Sequence, residues 1–274
     1  MDESVFPVDT ACQVSMRRFQ LIEIHEQPWL PSLLRDEATD ALQFGFNLLN
    51  VYGAVAPLLR GALDATRSQS IVDLCSGGGG PWFGLGRRLR GDSPLLQIWL
   101  TDKFPNPRAV ENVRRALEHH IRFYPGSVDA ANVPDELQGF RTMFTSFHHF
   151  SPERAGAVLQ NAVDAGEGIG IFEVTRRAPS TILLTLAWAL LLFLCTPWIR
   201  PFRWSRLLWT YLVPIVPLIL LFDGVVSCLR TYRPRELREI VGRLTVNDYQ
   251  WEIGETAGWL PVTYLIGHPR GLQG

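Results

Sequence analysis

The sequence predicts an α/β fold: a doubly wound, seven-stranded, mostly parallel sheet with a helical cap before it and an apolar helical insertion late in the chain. Three observations carry this expectation. Short apolar strands alternate with helical patterns between residues 69 and 174, the signature of a parallel sheet covered on both faces. The segment Ile71-Val72-Asp73-Leu74-Cys75-Ser76-Gly77-Gly78-Gly79-Gly80-Pro81 takes an apolar strand into four consecutive glycines and then a helix start. Between Ala178 and Phe222 the only charged residues are Arg200, Arg203 and Arg206, a break in composition inside an otherwise ordinary chain.

The elements follow in order. Residues 1–18 read as a loose tail and 19–24 as a short strand or helix start. Apolar residues at helical spacing, among them Ala41, Leu42, Phe44, Leu48 and Val51, predict two cap helices over 33–63. Residues 69–74 form the first strand and 83–90 its helix. A second strand is expected at 95–101, with Asp102 just past its end, and a helix at 107–120. The third strand is short, at 123–124, followed by Gly126 and Asp129. A fourth at 140–145 leads to a helix at 152–165, for which Ser151 is a suitable cap. A fifth strand spans 168–174. After the low-charge segment come an amphipathic helix at 234–244 and two strands at 249–253 and 262–266, bent apart by Gly258 and Pro261. The corresponding domain limits are 1–66 for tail and cap, 67–177 for the α/β core, 178–224 for an apolar hairpin and 225–274 for completion of the core.

Bulk properties narrow the function. A chain of 274 residues with a formal charge of -1 has no global attraction for nucleic acid, and no basic stripe or recognition motif suggests it as a partner. The four cysteines, Cys12, Cys75, Cys195 and Cys228, match neither a disulfide framework nor a metal spacing. No metal site is read from the sequence. Reduced thiols and an N-terminus without a basic-then-apolar signal pattern predict a cytoplasmic catalytic core.

The glycine run, Asp73, Asp102 past the second strand, Asp129 after Gly126 and the closing strand pair together resemble the class I S-adenosylmethionine-dependent methyltransferases. The resemblance covers most of 69–177 and 235–268. It implies S-adenosyl-L-methionine as cofactor. Asp73 would orient its ammonium. Gly77 and Gly79 would let the backbone pass close to its methionine part and ribose. Asp102 would accept from the ribose hydroxyls, as strand-end acids do in related folds. Asp129 would accept from the adenine amino group, with Val128 or Ala130 near the ring. Cys75, Lys103, Ser127 and Ser146 are further candidates for cofactor contact. Cys75 stands where the family motif usually starts with glycine, and the gap from Asp73 to Asp102 is long, with 90–94 able to absorb it as a loop. A dehydrogenase would use a similar glycine turn, but the antiparallel ending argues against it.

The fourth strand leads into Thr145-Ser146-Phe147-His148-His149-Phe150. Either His148 or His149 can accept a substrate proton near neutral pH. If the local chain is extended, the two point in opposite directions. Asp223, after the apolar segment, is a candidate to orient a substrate, and Arg230 to contact one. Phe147, Tyr232, Trp29 and Tyr52 are candidates for facing a sulfonium. The loop lacks the asparagine-proline-proline-aromatic signature of enzymes that methylate planar amide or base nitrogens.

Residues 181–199 carry no charge, and at about 1.5 Å per residue they nearly cross a ~30 Å hydrocarbon layer. The strands on either side belong to one sheet, so a single crossing is excluded and a hairpin is allowed. A spanning hairpin would carry three arginines to the far side, against the positive-inside tendency. A shallow one keeps them near headgroups, where Trp198, Trp204 and Trp209 also suit an interface. A hydrophobic cap or dimer surface is the alternative. The expected function is transfer of a methyl group to a small hydrophobic or lipid-like acceptor at a membrane. The alternatives are a non-methylating cyclase or lyase acting on the donor, forming azetidine-2-carboxylate, and an inactive cofactor-binding protein. An aromatic cage without room for an acceptor favours cyclisation; a broad apolar cleft favours methyl transfer.

Overall fold

A strand flanked by two parallel neighbours is buried on both faces, and its sequence must be apolar throughout. Ser70–Asp73 (β1) follows this at Ile71 and Val72, with Asp73 the buried exception at its carboxyl end, and pairs in parallel with Gln97–Asp102 (β2) and with Phe140–Phe144 (β4). The computed structural model describes residues 16–105, 120–200, 202–245, 248–258 and 260–270. Ile121–Ser127 (β3) lies outside β2, and Ile169–Glu173 (β5) lies beside β4. Thr263–Pro269 (β7) runs antiparallel to β5, and Tyr249–Glu255 (β6) closes the edge. The resulting seven-stranded order is β3-β2-β1-β4-β5-β7-β6. The chain order reverses between β1 and β4, and this switch point opens a crevice at the strand carboxyl ends.

The helices are Ser32–Leu48 (α1), Ala56–Thr66 (α2), Trp82–Asp92 (α3), Pro152–Asp164 (α4), Pro179–Cys195 (α5), Trp204–Leu207 (α6), Ile215–Arg230 (α7) and Pro234–Val241 (α8). Ser151 caps α4 by accepting from the Arg154 amide at 3.4 Å. One apolar cluster joins α2, α3 and one sheet face through Leu59, Trp82, Leu89, Ile98 and Phe140. The other face packs on α4 and α8 through Val158, Leu159, Leu237 and Ile240.

Several expectations change. The helix expected at 107–120 falls, apart from His120, outside the described residues, as does the tail over 1–15. The third strand extends well beyond 123–124. Helix α3 continues to Asp92, so only the end of the 90–94 segment is loop. Residues 19–24 are neither strand nor helix. They form an irregular strap because α7 supplies their partners: the Phe19 amide donates to Leu229 O at 3.1 Å and the Ile24 amide to Asp223 Oδ1 at 2.6 Å. Helix α7 runs unbroken through position 224, so one helix carries the chain from the apolar insertion back to the α/β body.

The apolar insertion is a hairpin folded down on the cap. Helices α5 and α7 pack on each other and on α1, with Leu34, Ala38 and Ala41 meeting Leu192, Val216 and Ile219. Glycine permits the closest approaches: a Cβ at Gly224 would meet Thr185 Cγ2 at 2.5 Å, and one at Gly45 would meet Trp188 at 2.5 Å. Arg206 at the tip is buried and donates to Glu37 Oε2 at 2.6 Å and Asp40 Oδ2 at 2.7 Å. Arg203 lies 3.1 Å from Asp40. Two of the three tip arginines therefore face α1 rather than reaching away from it. The hairpin's other side is apolar and exposed, at Leu183, Leu190, Leu194, Trp198, Trp204, Leu212 and Leu218. The stretch Pro179–Trp198 is long and apolar enough to cross a membrane, and two bent pairs pass the same test together, Trp204–Leu212 with Ile215–Arg230 at 72° and Ser32–Leu48 with Gly53–Thr66 at 65°.

Candidate active site

The glycine turn follows β1 directly. Gly77, Gly79 and Gly80 have φ of 53°, 108° and 54°, and Cys75 has φ 57°. Cys75 thus adopts the left-handed conformation that glycine enters without strain. The half-buried thiol is pushed up by burial and by the neighbouring carboxylates of Asp102 and Asp73. Asp73 is buried, and its two oxygens accept from Ser76 Oγ and Thr142 Oγ1, both at 2.7 Å. Burial raises it to about 6 despite these bonds. Its carboxyl group braces the turn from below.

A polar stripe on α1 holds the turn from the other side. Thr39, Gln43 and Asn47 lie at i, i+4 and i+8, on one helix face. Gln43 Nε2 donates to Gly78 O, Asn47 Nδ2 to Gly80 O at 3.2 Å, and Asn47 Oδ1 accepts from the Gly84 amide at 3.0 Å. A Cβ on Gly78 would lie 3.5 Å from Thr39 O, so the loop and cap are in close contact.

Asp102, at the end of β2, accepts from the Gly77 amide and the Phe104 amide, each at 2.8 Å. Burial raises its pKa. Beyond β3, the Val128 amide donates to Asp102 O at 3.0 Å, and Ser127 Oγ to Lys103 O at 2.6 Å. Val128 is buried. Asp129 accepts two bonds of 2.9 Å from Arg154 and lies 3.6 Å from Lys103 Nζ. Gly77, Asp102, Lys103, Ser127, Val128 and Asp129 thus form one connected rim at adjacent strand ends. Ser146, at the end of β4, is buried, and its Oγ has no hydrogen-bond partner. The left-handed glycine turn, the strand-end carboxylate and this unsatisfied hydroxyl fit a ligand with ribose-like hydroxyls and a polar arm.

The second part of the site is a cavity of about 150 Å³ beside the ends of β4 and β5. Leu42 and Phe46 of α1, Leu184 and Trp188 of α5, and Ile219 and Leu220 of α7 give it apolar walls. Its polar end holds His25, Thr145, His148, His149, Thr175, Asp223 and Ser227. Residues Phe147–His149 form a 3-10 turn, so the extended-chain expectation for the two histidines fails. Their rings stack with centroids 4.3 Å apart, and both line the cavity.

Their environments differ. Burial lowers His148, but Glu173 Oε2 at 2.7 Å from Nδ1 and Glu23 Oε1 at 3.5 Å from Nε2 outweigh it and hold the imidazole up at about 10. Carboxylates beside both ring nitrogens favour the protonated form of His148. Burial also lowers His149, and there Glu23 does not overcome the combined effect of burial and His148, so its pKa falls below the ordinary imidazole value. Its Nδ1 is in hydrogen-bond contact with Glu26 Oε1. Asp223 accepts from the His25 amide at 3.0 Å and lies 2.9 Å from His25 Nδ1. Arg230 is buried beneath the pair, donating to His148 O at 3.2 Å, His149 O at 2.5 Å and Glu26 Oε2 at 2.9 Å. It supports the turn instead of facing the cavity.

The sequence reading missed Glu23, His25, Glu26, Glu173 and the Thr39-Gln43-Asn47 stripe. The strap carries no periodicity to mark it. The stripe does carry a signal, the i+4 spacing of uncharged polar residues along one face of the helix. Among the aromatic candidates, Phe147 packs in the core with Tyr232, and Arg18 stacks 4.0 Å over the Tyr232 ring. Trp29 is exposed, and the Tyr52 hydroxyl bonds Thr145 Oγ1.

Neither a family model nor a curated protein matches the sequence. Solved structures do match. Human N-acetylserotonin methyltransferase in complex with SAM aligns over 93% of this chain and 63% of its own, with 17% identity and a TM-score of 0.50. The plantazolicin methyltransferase in complex with SAH aligns over 87% of this chain and 97% of its own, with 12% identity and a TM-score of 0.48. The chain spans less than two thirds of the human enzyme's length. With the strand order, the likeness to the human enzyme defines the fold of this chain as class I methyltransferase-like.

Proposed function

We propose that this chain is an S-adenosyl-L-methionine-dependent methyltransferase acting on a small hydrophobic or lipid-like acceptor. The observation that carries the proposal is the adjacency of two sites through Thr39, which lies against Gly78 of the glycine turn and also lines the apolar cavity that holds His149. The SAM complex formed by the human enzyme of similar fold supports the choice of cofactor. When bound, the cofactor supplies an electrophilic methyl group on a sulfonium. Gly77 and Gly79 give it close backbone contact, Asp102 accepts from its ribose hydroxyls, and Asp129 with Val128 borders its adenine. Asp73 acts through the turn it braces.

The acceptor enters between α1, α5 and α7, with its apolar part against Leu42, Phe46 and Trp188 and its nucleophilic atom at the histidines. Glu26 holds the Nδ1 proton of His149, leaving Nε2 as the lone-pair nitrogen that takes the acceptor's proton. His148, charged by Glu173, orients the turn and keeps positive charge beneath its neighbour. Asp223 orients His25. Alignment of donor and acceptor supplies much of the rate. A cavity with apolar walls favours methyl transfer over cyclisation of the donor.

The outward face of the hairpin supports association with a lipid surface, with the apolar side chains of α5 and the tryptophans at 198 and 204 entering the interface. The inward ion pairs of Arg203 and Arg206 favour a hairpin lying along the interface over one that spans it. Incubation with methyl-labelled cofactor and a panel of long-chain alcohols, phenols and amines tests the reading. A labelled acceptor supports it; release of a cyclised donor product in the absence of any acceptor would replace it.

A further inference from the structure

Behind the polar end of the cavity, buried Glu23 converges on one point with the cavity-lining His25 and His149. Glu23 is fully buried, yet its Oε2 has no hydrogen-bond partner. His25 Nδ1 and His149 Nδ1 each lie 3.5 Å from that oxygen. The three ligand atoms all fall within 4.8 Å of one another. Tetrahedral coordination with metal–ligand bonds of about 2.0–2.1 Å separates neighbouring ligand atoms by about 3.3–3.4 Å. The two Glu23–histidine distances approach that edge length without rearrangement. A buried carboxylate oxygen left unpaired is costly, and a cation between it and two imidazoles removes the cost.

We propose that Glu23 Oε2, His25 Nδ1 and His149 Nδ1 form a binding site for a borderline divalent transition metal of the zinc class. A nitrogen-rich set with one carboxylate suits Zn²⁺ or Co²⁺ better than Mg²⁺ or Ca²⁺. Asp223 Oδ2 lies 2.9 Å from His25 Nδ1 but outside the group of three mutually close ligands, so water is left to fill the fourth position. Without the ion, Asp223 and Glu26 accept hydrogen bonds from the Nδ1–H groups of the two histidines. With it, the single ring proton of each histidine shifts from Nδ1 to Nε2. Nδ1 of His149 then binds the metal, Nε2 carries that proton, and the ring no longer accepts one from an acceptor. The site is therefore an off-switch for the cavity. This consequence rests on the proposed role of His149; the binding site itself does not.

The test is competitive titration of the full-length chain with Zn²⁺ against a chromophoric chelator, with Co²⁺ absorption as a second readout and S-adenosyl-L-methionine binding measured on the same samples. The expected result is one Zn²⁺ per chain and an intense visible Co²⁺ spectrum of tetrahedral type. Glu23→Gln and His149→Ala should each weaken Zn²⁺ at least tenfold, while His268→Ala, outside the cluster, leaves it unchanged. A wild-type chain that binds Zn²⁺ no more tightly than the His25→Ala/His149→Ala double variant, and gives no tetrahedral Co²⁺ spectrum, overturns the metal site. If that chain still binds S-adenosyl-L-methionine, the methyltransferase reading survives. Zn²⁺ binding at these ligands without cofactor binding upholds the metal site and removes the methyltransferase reading instead. The Co²⁺ spectrum is read on the wild type and so does not depend on how any variant folds.

Discussion

His25 Nδ1 lies 2.9 Å from Asp223 Oδ2, and this contact ties an irregular strap near the N-terminus to the middle of α7. The same carboxylate accepts the amides of Ile24 and His25. One acid in the apolar insertion thus fixes the segment that brings His25 to the cavity and Glu23 and Glu26 to its histidines. Asp223→Ala should leave these donors without an acceptor, at about 1–3 kcal/mol for each one that water does not reach. A stability loss of about 3 kcal/mol in urea unfolding is expected, with the strap becoming sensitive to protease. A loss below about 0.5 kcal/mol contradicts this account of the strap.

The tip of the hairpin makes an equally specific prediction. Arg206 is buried with both Glu37 and Asp40. Arg206→Met leaves two carboxylates buried without that partner, and breaking such a pair costs roughly 3–5 kcal/mol. Replacing Glu37 by Gln in the same chain should recover part of the loss, because one stranded charge is removed. Equal stability of Arg206→Met and wild type in chemical denaturation would show that the tip does not rest on α1.

The exposed apolar face concerns the setting of the protein. Burying a leucine side chain fully is worth about 1.5–3 kcal/mol, and about 1.4 kcal/mol changes a partition coefficient tenfold. Changing Leu183, Leu190 and Leu194 together to Gln should lower binding to phospholipid vesicles at least tenfold in flotation. These side chains point away from α1, so the thermal midpoint should stay close to that of wild type. Unchanged flotation would remove the lipid surface from the proposal.

Much of the fold was legible because strands and helices have different periods and the core obeys them. The five strands from β1 to β5, the glycine turn and the antiparallel ending are local patterns, and each lies within a few residues of its expected place. The rim acids were legible for a related reason: Asp102 and Asp129 follow strand ends directly. The strap was not legible. Glu23, His25 and Glu26 sit in a segment without repeating structure, and their positions depend on contacts with residues near 148, 223 and 230. An extended chain would turn the two histidines apart, whereas the 3-10 turn at Phe147–His149 stacks the rings. The tip arginines suit headgroup contacts by sequence, because nothing local shows that Glu37 and Asp40 lie beneath them.

The central claim is that the glycine turn and Asp102 bind S-adenosyl-L-methionine. Calorimetric titration of the full-length chain with S-adenosyl-L-methionine and with S-adenosylhomocysteine measures it directly. Hydrogen bonds to a charged acceptor are worth about 1.5–3 kcal/mol each, so Asp102→Ala should weaken both ligands by roughly tenfold to a hundredfold. One site per chain is expected for each ligand in the wild type, with that loss in the variant. A folded wild-type chain that binds neither ligand contradicts the claim.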